Sequence, residues 1–327
     1  MSPLSDDTVR HLQRVLREPE VPGDRYETLD AVGQGGMGTV YRAHDRVLGR
    51  EVALKVLRAD LADAETAGRL EREARILARL EHPGIVPVHD AGTLADGRAF
   101  YVMKLVRGAR LEDAVRDLPA AEVLRLFLRV CEAVGFAHAR GVVHRDLKPS
   151  NIMVGSFGEV LVLDWGIARV LREDPEEARE VPPQGSRAGE DRGERDTAPG
   201  TVLGTPGFMA PEQAQGWLHL VDARTDVYAL GAILRHLAEH ARDGEPPPRP
   251  LASVWARATA PDPEDRYPTA AALAADVTRF LDGEPVEAHR EGPLERAGRV
   301  FRKYQTAIVL VLTYLVIRFL FLAARGL

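Results

Sequence analysis

The stretch VVHRDLKPSNIMV, residues 142–154, sets a polar cluster between two apolar runs that read as short strands. Asp146, Lys148 and Asn151 bring a carboxylate, an amine and an amide within six positions. Any fold for this chain must bury the flanks and leave these three groups together at a surface.

The rest of the chain can supply that frame. Its 327 residues allow one large domain or two ordinary ones, and a 45% hydrophobic content is enough for a real core. A net charge of −6 gives no mark of a nucleic-acid binder. Of 43 basic residues only four are lysines, Lys55, Lys104, Lys148 and Lys303, and arginine does not substitute freely for lysine. The single cysteine, Cys131, excludes an intramolecular disulfide and reads as a buried apolar residue of the helical pattern VLRLFLRVCEAVGFAHA.

Along the chain, YETLDAVG, TVYRAHD and EVALKVL read as strands, separated by a glycine-rich turn and by Leu48-Gly49-Arg50. Residues 64–80 switch to helical spacing, with Leu70, Ala74, Leu77 and Leu80 on one stripe. IVPVHDAG and AFYVMKLV read as two further strands, and after Leu111 the pattern turns helical. Two lobes of different class, joined near residues 104–109, are expected. Residues 1–25 form an extension with a short amphipathic pattern at Val9, Leu12, Val15 and Leu16 and no signal-peptide core. Residues 172–200, with nine acids and five arginines among prolines and glycines, are expected to be a disordered insert. PPPRP at 246–250 marks a second loop.

Gly33-Gln34-Gly35-Gly36-Met37-Gly38-Thr39-Val40, preceded by Val32, lies between two strands, where a dinucleotide fold would place a helix next. Glycines so placed can close backbone N–H groups over phosphates. Lys55, in an otherwise apolar strand, must be paired if it is buried. Glu73 on the next helix is the first candidate partner, and Glu71 is the alternative on a solvated face.

The signatures G-x-G-x-x-G-x-V, V-A-x-K, H-R-D-x-K-x-x-N and D-x-G occur here in the order seen in eukaryotic-like serine/threonine protein kinases of bacteria. From about Tyr26 to Leu281 the sequence resembles that family. The resemblance implies that Val32 to Val40 cover ATP, that Lys55 and Glu73 pair at its phosphates, and that Met103 backs the adenine pocket. It implies a hinge at Lys104 to Val106. Asp146 would accept the proton of a protein Ser or Thr hydroxyl, and Lys148 would neutralise the transferring phosphoryl group. Asn151 and Asp164 would hold Mg2+. Thr205, in GTPGFMAPE, would sit near Asp146 and Lys148, Glu212 would pair with Arg266, and Asp226 would brace the His144-Arg145-Asp146 turn. Thr201 first, then Thr197, are candidate phosphorylation sites that Arg145 could engage.

Three departures stand out. Trp165 replaces the phenylalanine usual in that family after Asp164, the acidic insert lengthens the activation segment, and one helix of the family's larger lobe is expected to be missing or reduced to residues 241–250. They lend some support to a pseudokinase scaffold, against which the intact polar set argues.

The C-terminal run AIVLVLTYLVIRFLFLAA, residues 307–324, has eighteen residues and one charge, Arg318. At 1.5 Å per residue it is about 27 Å long, the thickness of a hydrocarbon core. Arg290, Arg296, Arg299, Arg302 and Lys303 precede it, and positive charge keeps its side cytoplasmic. With only Arg325 to Leu327 beyond the run, no extracytoplasmic sensor domain is expected. The expected architecture is α+β: a bilobal kinase domain over 26–281, a basic juxtamembrane linker over 282–306 and a transmembrane helix over 307–324. That makes a single-pass inner-membrane protein with its kinase domain in the cytoplasm. Its expected partners are protein substrates and the membrane but not nucleic acid, and the sequence leaves open whether it forms a homodimer.

Overall fold

The computed structural model describes residues 21, 24–35, 38–61, 64–165, 169–170, 207–240 and 247–325. The N-terminal extension before Val21, the insert over 172–200 and both candidate phosphorylation sites lie outside the described residues.

Strands Tyr26–Gln34 (β1), Gly38–Asp45 (β2), Arg50–Leu57 (β3), Val88–Thr93 (β4) and Ala99–Lys104 (β5) form one antiparallel sheet in the order β1-β2-β3-β5-β4. Gly49 turns β2 into β3 with φ of 62°, a left-handed value that a side chain disfavours. The apolar run IVPVHDAG does not pair along its whole length. Pro87 has no N–H to donate, and the strand starts only at Val88.

β3 is buried continuously from Val52 to Leu57 because both faces of the sheet are covered. Val52, Leu54 and Val56 pack with Tyr26, Phe100 and Val102 on one face. Alternation turns Lys55 and Leu57 to the other face. There the helix Ala64–Arg79 (α1) brings down its stripe of Leu70, Ala74 and Leu77, with Leu80 just past its end. Each of these buried leucines contributes about 1.5–3 kcal/mol.

The larger lobe is built on Ala120–Ala139 (α2), which closes at Gly141 with φ of 74°. Around it lie Pro211–Ala214 (α3), Ala223–His240 (α4), Arg249–Ala258 (α5) and Ala270–Leu281 (α6). Cys131 is buried in this core, and burial pushes its thiol up, as expected for an inert residue. The PPPRP segment does not stay a loop: its last two residues open α5, because proline is tolerated in a first helical turn. Three short strands, β6 (Gly108–Arg110), β8 (Ile152–Gly155) and β9 (Val160–Val162), form a small sheet under the hinge, and β7 (Val142–Val143) pairs with β10 (Arg169–Val170). β7 and β8 are the two apolar flanks of the polar loop.

Beyond α6 the chain forms a long helix, Pro293–Arg325 (α7). It starts fourteen residues before the apolar run, so the second half of the expected linker is helical. Side chains of the run are described from 309 to 321, and the large apolar ones are 50–71% exposed. Among the described residues no helix is long and apolar enough to cross a membrane.

Candidate active site

On α1, Glu73 falls three residues after Leu70 and four before Leu77, and so shares their buried stripe. Both of its oxygens accept hydrogen bonds from Lys55 Nζ, at 2.7 and 2.8 Å. Glu71 instead meets Arg75 on the exposed face. Burial alone would depress the Lys55 ammonium, but Glu73, Tyr101 and Asp164 outweigh it and hold it well above its ordinary value. The lysine is therefore a fixed cation. Tyr101 is a participant the sequence reading missed. Its hydroxyl donates to Glu73 Oε1 at 2.9 Å, and its ring lies 5.6 Å from Lys55 Nζ. The register already contains it, since Tyr101 pairs with Lys55 across β3 and β5. Tyr101→Phe is expected to destabilise the protein by about 1–2 kcal/mol while keeping the fold, measured by urea unfolding.

Lys55 also donates to Asp164 Oδ1 at 3.1 Å, joining the smaller lobe to the larger. Desolvation works to raise the Asp164 carboxyl, but the Lys55 charge and hydrogen bond prevail and lower it. With 49% of its side chain exposed, this carboxylate keeps a face open to the cleft. Asp164 has φ of 60° and Arg145 has φ of 70°, left-handed values that non-glycine residues adopt only where their surroundings impose them.

Those surroundings are visible. Asp226, buried in the first turn of α4, accepts from the backbone N–H of His144 at 2.8 Å and of Arg145 at 2.9 Å. His138 Nε2 lies 2.8 Å from the same carboxylate. Gln213 Nε2 donates to the Arg145 carbonyl at 2.8 Å. His144 is buried, with Nδ1 accepting from Asp146 N, which leaves Nε2 to donate to the Leu163 carbonyl at 3.0 Å. Asp226 matches its expected bracing role, whereas His138 and Gln213 were not legible because their partners lie 88 and 68 residues away.

Within the braced loop, Lys148 Nζ donates to Asp146 Oδ2 at 2.8 Å. Asn151 Nδ2 donates to the Asp146 carbonyl at 2.9 Å and to Oδ2 at 3.2 Å. This commits the amide nitrogen and leaves the amide oxygen as the group's remaining ligand atom. Asn151 and Asp164 offer oxygen donors only, which suits Mg2+, an ion that takes few protein ligands and keeps water or phosphate oxygens. Among the described residues no cluster of three His, Cys, Asp or Glu could hold a metal alone. A two-ligand site completed by phosphate is compatible with that.

Trp165 occupies the core without an unpaired group. It is fully buried, its ring centroid lies 4.6 Å from that of His144, and its indole N–H donates to the Val162 carbonyl at 3.4 Å. At the glycine-rich turn, Gly35 N donates to the Gly38 carbonyl at 2.8 Å. A Cβ at Gly38 would stand 2.8 Å from the Val56 carbonyl, so this glycine is required by the approach of β2 to β3. Gly33 faces open space. Gly36 and Met37 lie outside the described residues. At the hinge, Met103 lies half-buried next to the last residue of β5, Lys104, whose N–H donates to the Pro87 carbonyl, and Leu105 and Val106 follow. Thr205 also lies outside the described residues, whereas its neighbour in the motif, Glu212, meets Arg266 through two 2.7 Å bonds in a fully buried pair.

A bilobal fold with a lysine–glutamate pair above and an HRD loop below defines the protein kinase class. The protein kinase domain family matches residues 26–243 of this chain. The serine/threonine-protein kinase PknB of Mycobacterium leprae is 37% identical over 304 residues, covering 84% of this chain and 46% of that protein. PknD of Chlamydia abortus is 35% identical over 300 residues, covering 80% of this chain and 31% of that protein. The crystal structure of the Mycobacterium tuberculosis PknI kinase domain superposes with a TM-score of 0.56 at 30% identity, covering 80% of this chain and 98% of that one. The chain belongs to the bacterial eukaryotic-like serine/threonine protein kinases. It spans less than half the length of the PknB and PknD relatives.

Proposed function

We propose that this protein is an active kinase that transfers the γ-phosphoryl group of ATP to Ser or Thr hydroxyls of proteins. The observation that carries the reading is the convergence of Lys55, Glu73, Asp164, Asp146, Lys148 and Asn151 on one cleft, each with its hydrogen-bond partners in place. In that reading the turn from Val32 to Val40 covers the phosphates, and the backbone from Lys104 to Val106 takes the adenine beside Met103. Lys55, locked as a cation, binds the phosphates. Mg2+, when held by Asn151 and Asp164, neutralises charge on the phosphate oxygens. Asp146 orients the acceptor hydroxyl and takes its proton as the acceptor oxygen bonds to the γ-phosphorus. The bond from that phosphorus to the β–γ bridging oxygen breaks, and ADP leaves with the electron pair. Lys148 offsets the charge that spreads over the transferring group, so fixed cations rather than covalent chemistry supply the catalysis.

Of the three departures behind the pseudokinase alternative, Trp165 packs with its indole N–H satisfied and lends it no support, while the insert over 172–200 and residues 241–246 lie outside the described residues. Incubation of wild type and Asp146→Asn with radiolabelled ATP and a generic protein acceptor tests the reading. Equal labelling by both would refute it.

Thr201 is the favoured autophosphorylation site and Thr197 the second, with Thr205 contributing near Asp146. After incubation with Mg-ATP, mass spectrometry is expected to find phosphate on Thr201. Full activity with no phosphate on either threonine would remove both from the account.

Membrane anchoring through α7 belongs to the same proposal. Large apolar side chains exposed on every face of an unbroken helix leave no face suited to water. Arg318 is twelfth in the run of eighteen and can direct its guanidinium toward the far interface. The full-length protein is expected to stay in the membrane pellet after alkaline carbonate washing. Release into the supernatant would exclude a span.

A further inference from the structure

The segment between α6 and α7 reads in sequence as a linker, yet Val286 to His289 fasten it to the lobe. Asp276 in α6 is fully buried, and Tyr267 donates to it at 2.7 Å. The same carboxylate accepts from the backbone N–H of Glu287 at 2.6 Å and of Ala288 at 3.0 Å. Arg279 bridges Asp276 and the Glu287 side chain. Val286 is buried in the main core, and Ala288 packs against it. Next, His289 lies with Nδ1 at 3.1 Å from Ser253 Oγ in α5 and Nε2 at 3.0 Å from Glu295 Oε2 in α7. Glu295 also accepts from Gly292 N at 3.1 Å, closing the first turn of α7, with Pro293 as its first residue. Three helices of the lobe region are thus tied through Asp276 and His289.

We propose that this joint holds the catalytic lobe at one orientation and distance from the apolar end of α7, so that the kinase selects acceptor proteins held at the same membrane face. The proposal rests on the kinase and anchoring readings above. Fourteen residues of helix precede the apolar run, a stalk of about 21 Å. A stalk on a fixed joint sets a height for the active site that a flexible linker would not. An acceptor tethered too closely to the bilayer cannot reach the cleft, and one on a long tether loses effective concentration.

Two measurements on the full-length chain test this. For the first, spin labels are placed at Glu239→Cys in α4 and Gly298→Cys in α7, where a side chain meets nothing within 4 Å. Buried Cys131 stays unlabelled. In vesicles or detergent a single narrow distance is expected. A twelve-residue Gly-Ser insertion after Arg290, which leaves the Asp276 contacts in place, should broaden it at least twofold, and His289→Ala should broaden it partially. A broad distribution in the unmodified chain, or no change on insertion, overturns the joint whether or not α7 enters a bilayer.

For the second, the chain is reconstituted in vesicles with a Ser/Thr peptide coupled to lipid through spacers of increasing length. Wild type should show an optimum spacer, with rates about tenfold lower at the shortest spacer than at the optimum, and the insertion variant should lose that dependence. A flat profile in wild type overturns the acceptor selection. Carbonate release would overturn the anchoring and the acceptor selection together, while the label distance would still report on the joint.

Discussion

Asp146→Asn is expected to lower phosphoryl transfer at least 100-fold while leaving thermal unfolding within a few degrees of wild type. The substitution keeps the shape that Lys148 and Asn151 contact, so the loop stays braced through Asp226. What it removes is the proton acceptor and the negative charge that holds Lys148 in position. Loss of one preorganised charged group typically costs 10² or more in rate. A residual rate above about a tenth of wild type would show that another group takes the proton. Lys55→Met provides the parallel measurement from the phosphate side, and a loss of similar size is expected.

Replacing Arg266 by alanine is expected to destabilise the protein by about 3–5 kcal/mol, the usual effect of breaking a buried ion pair from one side. The Glu212 carboxylate would be left in the core with Thr225 as its remaining side-chain donor. Arg266 also donates to the carbonyls of Arg224, Ala260 and Pro261, so the loss spreads to the ends of α4 and α5. Urea unfolding reads the change. A loss below about 1 kcal/mol would mean that water enters and replaces the guanidinium. Paired substitution by apolar residues of similar volume should recover part of the loss, because no charge then remains buried.

The residues that matter were legible where their chemistry repeats at short range. The loop from His144 to Asn151 and the turn from Gly33 to Val40 carry their pattern within a few positions, and Lys55 is conspicuous as a lysine inside an apolar strand. Glu73 could be preferred to Glu71 because helical spacing puts it on the stripe of Leu70 and Leu77. What escaped were side chains whose function depends on a distant partner. Nothing local in the sequence singles out Tyr101, His138 or Asp276. Each became specific only when folding carried its partner to it.

The amino-acid order alone determined the strand and helix alternation, the two-lobe division and the polar set of the cleft. Local periodicity and glycine placement act over a few residues and need no knowledge of the rest of the chain. Only the tertiary structure decided that Gly38 is required by the Val56 carbonyl, that Arg145 and Asp164 sit at positive φ, and that residues 286–289 pack on the lobe. These depend on close approach and on burial of charge, which have no magnitude until distant segments meet in a medium of low dielectric.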